Sequence, residues 1–485
     1  MGEPLRKPPT TCCLRPTFGR NSRQSVRASV IAALVGLLPL FANPAFAGKS
    51  EASARQPATA TSSKSSKTRH SASKKTVVKG ASTGRDRALK TVSLSPGLTA
   101  GALAINGTAQ SLPGAREGEA EARLIEVYRL IGKAQGREAL KRAESLVADY
   151  PNFQLAQLVY GDLLSSQTRP IRAFGAVPDT MAQAAGTTLP ELREESLVRL
   201  KALRESPPLG TIPSQFLNLS PRTRHAIAID TLRSRLYLFE NNTTGLRLVA
   251  DYYISVGKSG IEKNAEGDQR TPLGVYHITS NLDPKSLKDF YGSGALPLNY
   301  PNPYDQSRGR TGGGIWLHGT PPNQFARAPK ASDGCVVLAN PDLERIIRTV
   351  EVRTTPVVIA RQLQWVPPQS VKAEGKSFED ALQAWRSAKT SGDVNRVLGF
   401  YTTDFRNYNK TLPEWTPTLK QEISSARGRN IELKDLSYLR WNDGADTMVA
   451  TFGEVVDGSR TGPVKRQYWV RQGNQWKIFF EGVIG

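Results

Sequence analysis

Cysteine is nearly absent: the 485 residues hold three, and two of them, Cys12 and Cys13, lie side by side near the start. Beyond residue 47 there is only Cys335, which excludes an intramolecular disulfide framework. Histidine is scarce too, with four in the chain at positions 70, 225, 277 and 318. One cysteine and scattered histidines make no zinc-ligand set, and neither metal nor cofactor is expected. Long apolar runs are lacking: Val30 to Phe41 gives about 12 residues against the ~20 that span a bilayer. Acidic residues are few beside basic ones, 43 against 65, leaving +22. Residues 1–47 carry +5 of this and residues 48–90 another +9, so most of the excess lies in the first 90 positions. A nucleic-acid-binding domain would spread its charge over a folded face, so no nucleic acid partner is expected.

What is present reads first as an export signal. Arg6, Lys7, Arg15, Arg20, Arg23 and Arg27 precede the apolar run, and Ala45-Phe46-Ala47 gives a small-x-small cleavage site ahead of Gly48. Residues 1–47 are therefore expected to be a signal peptide, the alternatives being an uncleaved anchor or a buried helix. The mature protein is placed in the periplasm or cell envelope, its Cys335 either an inert buried thiol or a working nucleophile. Residues 48–115, rich in Ser, Thr, Ala, Lys and Gly, have little to bury and read as a disordered basic linker. Such a linker is either simply solvated or a weak hold on anionic envelope polymers or lipid head groups.

The length suits about three further units. Residues 116–205 have helical period: Leu124, Val127, Tyr128 and Ile131 form one stripe, and Ala139, Leu140, Ala143, Leu146 and Val147 another. Leu155, Leu158, Val159 and Leu163 begin a third helix after the break at Tyr150-Pro151-Asn152. The run resembles one tetratricopeptide unit, expected to pack on its neighbour or mediate self-association. From Arg222 the period becomes two, with strands at 225–230, 235–239, 248–256, 274–278, 315–317 and 356–360, and a long loop from Asn281 to Gly314. After a linker at Trp365-Val366-Pro367-Pro368, residues 377–485 read as two helices (Phe378, Leu382 and Trp385; then Leu398 and Tyr401) and four strands. The fold class is thus multidomain: an α-helical N-terminal region, a β-rich domain over 222–361, and an α+β cone.

The chemistry concentrates between Trp316 and Asn340. His318 closes a strand, where a side chain projects into a cleft, and Ser332-Asp333-Gly334-Cys335 follows. A thiol attacks only as thiolate and needs a base or cation nearby. Gly334 permits a tight turn that exposes the sulfur and frees backbone N–H groups for an oxyanion. Taken singly, His318 is as readily a structural histidine.

The combination of a His, a spacer and Ser-x-Gly-Cys resembles the YkuD-like L,D-transpeptidases. The Tyr237-Leu238 strand, Val256-Gly257-Lys258 and Thr271-Pro272-Leu273-Gly274-Val275-Tyr276 agree with that family's domain, and the resemblance covers about residues 222–361. It implies a cysteine transferase of cell wall biogenesis acting on peptidoglycan stem peptides. Cys335 would be the nucleophile, His318 the general base and acid, and the Gly319 carbonyl the group that orients the imidazole. Gly334 and Cys335 N–H groups would form the oxyanion hole, and Ser332 would shape the turn. Two positions depart from the pattern: Asp333 stands where His is common, and Val337 where Arg is. The helical region and a cone resembling the nuclear-transport-factor-2-like fold also occur together in cell-shape L,D-carboxypeptidases, in which water resolves the same thioester.

Tyr304, Arg308, Arg310, Asp333 and Asn340 are grouped as substrate-binding, the 281–314 loop being read as a lid with Tyr291 and Tyr300 among its aromatics; a packed surface loop is the alternative. Gly312-Gly313-Gly314 lacks the Gly-Lys-Ser/Thr of a phosphate loop. In the cone, Trp385, Tyr401, Trp415, Trp441, Tyr468, Trp469 and Trp476 are core residues or the lining of a ligand pocket. His225 and His277 are read as structural. The resulting expectation is an exported L,D-transpeptidase, with an L,D-carboxypeptidase and a non-catalytic envelope scaffold as rivals.

Overall fold

The computed structural model describes residues 116–171, 173–177 and 179–484. The expected signal peptide and basic linker, with His70, lie outside the described residues.

Helices Glu119–Gly132, Gly136–Asp149 and Gln154–Ser165 turn their apolar stripes to one another, and Thr188–Arg204 closes the group. Leu124, Val127, Tyr128, Ala139, Ala143, Leu146, Leu155 and Val159 are buried in this core, as the 3.6 period requires. Phe325 and Ala339, from the β-rich domain, complete the same core. The helices are therefore fused to their neighbour, and charge as well as packing joins them. Arg199 pairs with Glu121 and Glu195 at 2.7 Å, and Arg235 on the sheet pairs with the same Glu121 at 2.7 Å and with Asp251 at 2.6 Å. Glu121, Glu195, Arg199 and Arg235 are all buried, so each charge depends on its partners.

The β-rich domain is built on a sheet of six strands in the order Arg116–Glu117, Gly245–Tyr253, Arg235–Asn242, His225–Asp230, Pro356–Ala360 and Gly274–His277. Its middle strands are apolar at nearly every position because both faces are covered. Ile227, Ile229, Leu236 and Leu238 face the domain's own core, while Ala226, Ala228, Tyr237 and Phe239 pack against the C-terminal domain. Two small sheets carry the chemistry-bearing segment: Val336–Val337, Trp316–His318 and Ala295–Pro297 in one, Lys330–Ser332 and Val256–Gly257 in the other.

The C-terminal domain curls a seven-stranded sheet around helices Pro368–Ser391 and Leu412–Ala426. The register shift between Lys434 and Ser437, with Asp435 at φ 54°, bends the longest strand as a bulge does. Trp385, Tyr401, Trp415, Trp469 and Trp476 pack in this domain's core, while Trp476 also lines a cleft of about 530 Å³ with Phe400 and Arg396 and Trp441 lines a second cleft with Arg440 and Asp443.

Several sequence expectations need correction. Tyr401 opens the strand Tyr401–Asn407 and is not helical. The supposed linker at 365–368 is packed: Trp365–Val366 pairs with Ile212–Pro213, and the Trp365 ring meets Tyr237 edge-on at 5.0 Å. Phe216–Asn218, upstream of the β-rich domain, adds an edge strand to the C-terminal sheet. The 281–314 loop is an ordered course of short helices and the strand Ala295–Pro297.

Candidate active site

Strand pairing brings His318 and Cys335 to one place. Trp316–His318 and Val336–Val337 run parallel with Leu317 opposite Val336 and His318 opposite Val337. Cys335 thus sits level with Trp316, and strand alternation puts Trp316 and His318 on the same face. The turn before Cys335 is built by local hydrogen bonds. Ser332 Oγ donates to the Cys335 carbonyl at 2.6 Å and accepts from the Gly334 N–H at 3.1 Å, while Thr271 Oγ1 donates to the Gly334 carbonyl at 2.9 Å. Gly334 has φ +123°, and a Cβ there would lie 2.7 Å from the Arg270 carbonyl oxygen, so only glycine fits. Because the Gly334 N–H is already taken by Ser332, it is not free for an oxyanion, which corrects that expectation.

Cys335 is half-buried, and its thiol donates to the Gly314 carbonyl at 3.3 Å. Burial pushes the thiol above its usual range, opposed by the Trp316 N–H and the Arg327 charge. His318 is buried, and its Nδ1 lies 2.7 Å from the Gly319 carbonyl oxygen. A carbonyl only accepts, so Nδ1 carries the proton and Nε2 is the free basic nitrogen. Burial, with Arg327 adding to it, lowers the imidazole to about 4 against the pull of the Gly319 bond. The resting pair is therefore neutral thiol and neutral imidazole, not a thiolate–imidazolium ion pair.

The other nominated residues are engaged elsewhere. Asp333 pairs with Lys258 at 2.8 Å on the surface. The Asn340 side chain accepts from the Ser293 and Thr320 N–H groups at 3.0 and 3.1 Å and donates to the Thr320 carbonyl at 2.9 Å, so it clamps backbone. Tyr304 and Arg308 both donate to the Asp443 carbonyl at 3.2 Å, and Arg310 bridges Asp305 at 3.0 Å and Asp443 at 2.6 Å. These three fasten the loop to the C-terminal domain and do not form a substrate lid. Tyr291 alone of the loop tyrosines named above reaches the site, its ring edge-on to His318 at 5.1 Å. His225 meets Glu351 at 3.2 Å and His277 is buried. A cleft of about 630 Å³ between the two domains is lined by Glu262, Arg310, Arg361, Arg440 and Asp443, with neither Cys335 nor His318 in its wall.

Arg327 is the residue that sequence reading passed over. It lies between His318 and Cys335 along the chain, is buried, and its charge is felt at both. The loop that carries it is held by the helical region: Phe325 N–H donates to the Asn152 carbonyl at 3.0 Å, Asn152 Nδ2 donates to the Pro322 carbonyl at 3.0 Å, and Phe325 stacks on Phe153 at 4.2 Å. Its position two residues after Phe325, in a segment otherwise of small and polar residues, is the available signal.

Residues 224–359 match the YkuD family, the L,D-transpeptidase catalytic domain, and residues 377–482 match the Cds6 C-terminal NTF2-like domain. No curated protein matches the sequence. Among solved structures, Bd1075 of Bdellovibrio bacteriovorus is 24% identical with TM-score 0.49, over 56% of this chain and 98% of that one. The helical cell shape determining protein Pgp2 of Campylobacter jejuni is 23% identical with TM-score 0.44, over 53% and 91%. Residues 224–359 are thus a YkuD-family L,D-transpeptidase catalytic domain, set between a helical region and an NTF2-like domain in one chain.

Proposed function

We propose that the protein is an exported L,D-transpeptidase that works through a Cys335 thioester on the tetrapeptide stems of peptidoglycan. The observation that carries this is the pairing of an oriented, neutral His318 with a thiol presented on a glycine-dependent turn inside a YkuD domain. His318 Nε2 takes the proton from the Cys335 thiol as sulfur bonds to the carbonyl carbon of the third stem residue. The oxyanion falls to the Cys335 N–H. The C–N bond then breaks, the amine of the fourth residue leaves with the proton from His318, and a thioester remains. A neighbouring stem amine attacks that thioester, passing its proton through His318, and the thiol is restored. The intended partner is the stem peptide, and the place of work the periplasm or envelope.

Hydrolysis of the same thioester would make the enzyme an L,D-carboxypeptidase. Incubating the exported form (residues 48–485) with disaccharide-tetrapeptide, beside a Cys335→Ala control, separates the readings by product mass. Cross-linked dimer or exchange of added D-amino acid establishes transpeptidation, and clean tripeptide establishes hydrolysis. The absence of both, with no acyl adduct on Cys335, sinks the catalytic reading and leaves an envelope-binding scaffold.

A further inference from the structure

Arg327 is an incompletely bonded cation. It is 8% exposed, yet its five N–H donors find, among the described residues, one hydrogen bond, to the Phe290 carbonyl at the long distance of 3.5 Å. Its guanidinium rests on the Phe290 ring at 4.3 Å, and that ring stands 5.9 Å from His318. Among the described residues no ion pair satisfies it: Asp333, the acid whose charge it feels, is taken by Lys258. Among the other buried arginines, Arg466 likewise has no ion pair among the described residues but donates to Thr451 Oγ1 at 3.0 Å. Arg199 and Arg235 each hold two carboxylates.

Burying an unpaired charge costs several kcal/mol unless something pairs with it. The fold nevertheless holds Arg327 firmly. Tyr253 Oη donates to its carbonyl at 2.8 Å, Tyr253 is itself capped by Arg199 at 3.7 Å, and Phe325 anchors the same loop in the helical core. A guanidinium carried on a fixed loop, with free donors beside a nucleophile, suits a planar anion.

We propose that Arg327 receives the free α-carboxylate of the stem residue that leaves, and so makes the enzyme selective for stems in which that carboxylate lies one residue beyond the scissile carbonyl. This rests on the stem-peptide reading above. In a tetrapeptide cut after its third residue the terminal carboxylate falls at that place. A fifth residue, or an amide in place of the acid, removes the charge from it.

The test is binding to the full Cys335→Ala chain, which cannot cleave, of disaccharide-tetrapeptide as free acid and as C-terminal amide. The acid is expected to bind at least about tenfold more tightly, the scale of one charge-assisted pair. Adding Arg327→Gln should bring the acid to the affinity of the amide, and Arg327→Lys should restore part of the difference. Equal binding of acid and amide by the Cys335→Ala chain overturns the proposal, as does a preference that survives Arg327→Gln. Turnover by the unsubstituted chain is read separately. Acid-selective binding without turnover supports the carboxylate site and defeats the catalytic reading. Turnover of acid and amide with equal kcat/KM defeats the site and leaves the catalytic reading standing.

Discussion

Cys335 and His318 are both held neutral by burial, and this fixes how the site responds to pH. Raising an acid's pKa keeps it protonated to higher pH, so the thiol stays a thiol at neutrality; lowering a base's pKa keeps it unprotonated to lower pH, so His318 remains a free base down to about 4. Alkylation of Cys335 by iodoacetamide should therefore keep climbing with pH past the range in which an ordinary thiol levels off. A rate plateau between about pH 5 and 7 would show an ion pair and contradict this account. Turnover should have its acid limb near pH 4. The Ser332 and Gly334 hydrogen bonds join neighbours in the chain, so the turn could be read from its own four residues. Asn340, Arg310 and Arg327 could not be, because their partners Thr320, Asp443 and Phe290 are brought to them only by the fold.

At the scale of elements, the corner between Gly136–Asp149 and Gln154–Ser165 acts on the segment that links His318 to Cys335. Phe325→Ala should cost about 3–5 kcal/mol of stability by emptying a core site, seen as a lower melting temperature. It should also slow turnover at temperatures where the chain is fully folded. Unchanged kcat/KM with only a lower melting temperature would mean that the corner is a prop and nothing more. The helical stripes were plain in the sequence since each helix buries one face. Phe216–Asn218 and Trp365–Val366 were not, since strands of three and two residues carry no period and owe their existence to partners far along the chain.

Across the whole molecule, the helical region meets the catalytic domain through buried charge, and Asp342 stands at that seam. It lies in the first turn of Asn340–Thr349, directly beneath Gly118, where a Cβ would come within 2.5 Å of Oδ1. Burial and then the nearby Glu121 carboxylate raise it to about 7, against the pull of Arg199, Arg235 and Arg345. The folded state thus holds a proton that the unfolded chain releases near 4, so this group subtracts stability as pH rises from about 4 to 7. Asp342→Asn should match the parent near pH 4 and melt progressively higher than it toward pH 8. A constant difference across that range would refute the assignment.

Phe216–Asn218 has a consequence for inheritance. The C-terminal domain starts at 377 as a family unit, yet its sheet is finished by a strand from more than 150 positions upstream, hydrogen-bonded along Ile431–Asn442. A gene fragment cut at the family boundary would encode a torn sheet, with an open edge and the apolar Leu439 and Trp441 bared beside it. Recombination that carries this domain to another protein must therefore bring a substitute for that strand or leave behind a product that sticks to itself.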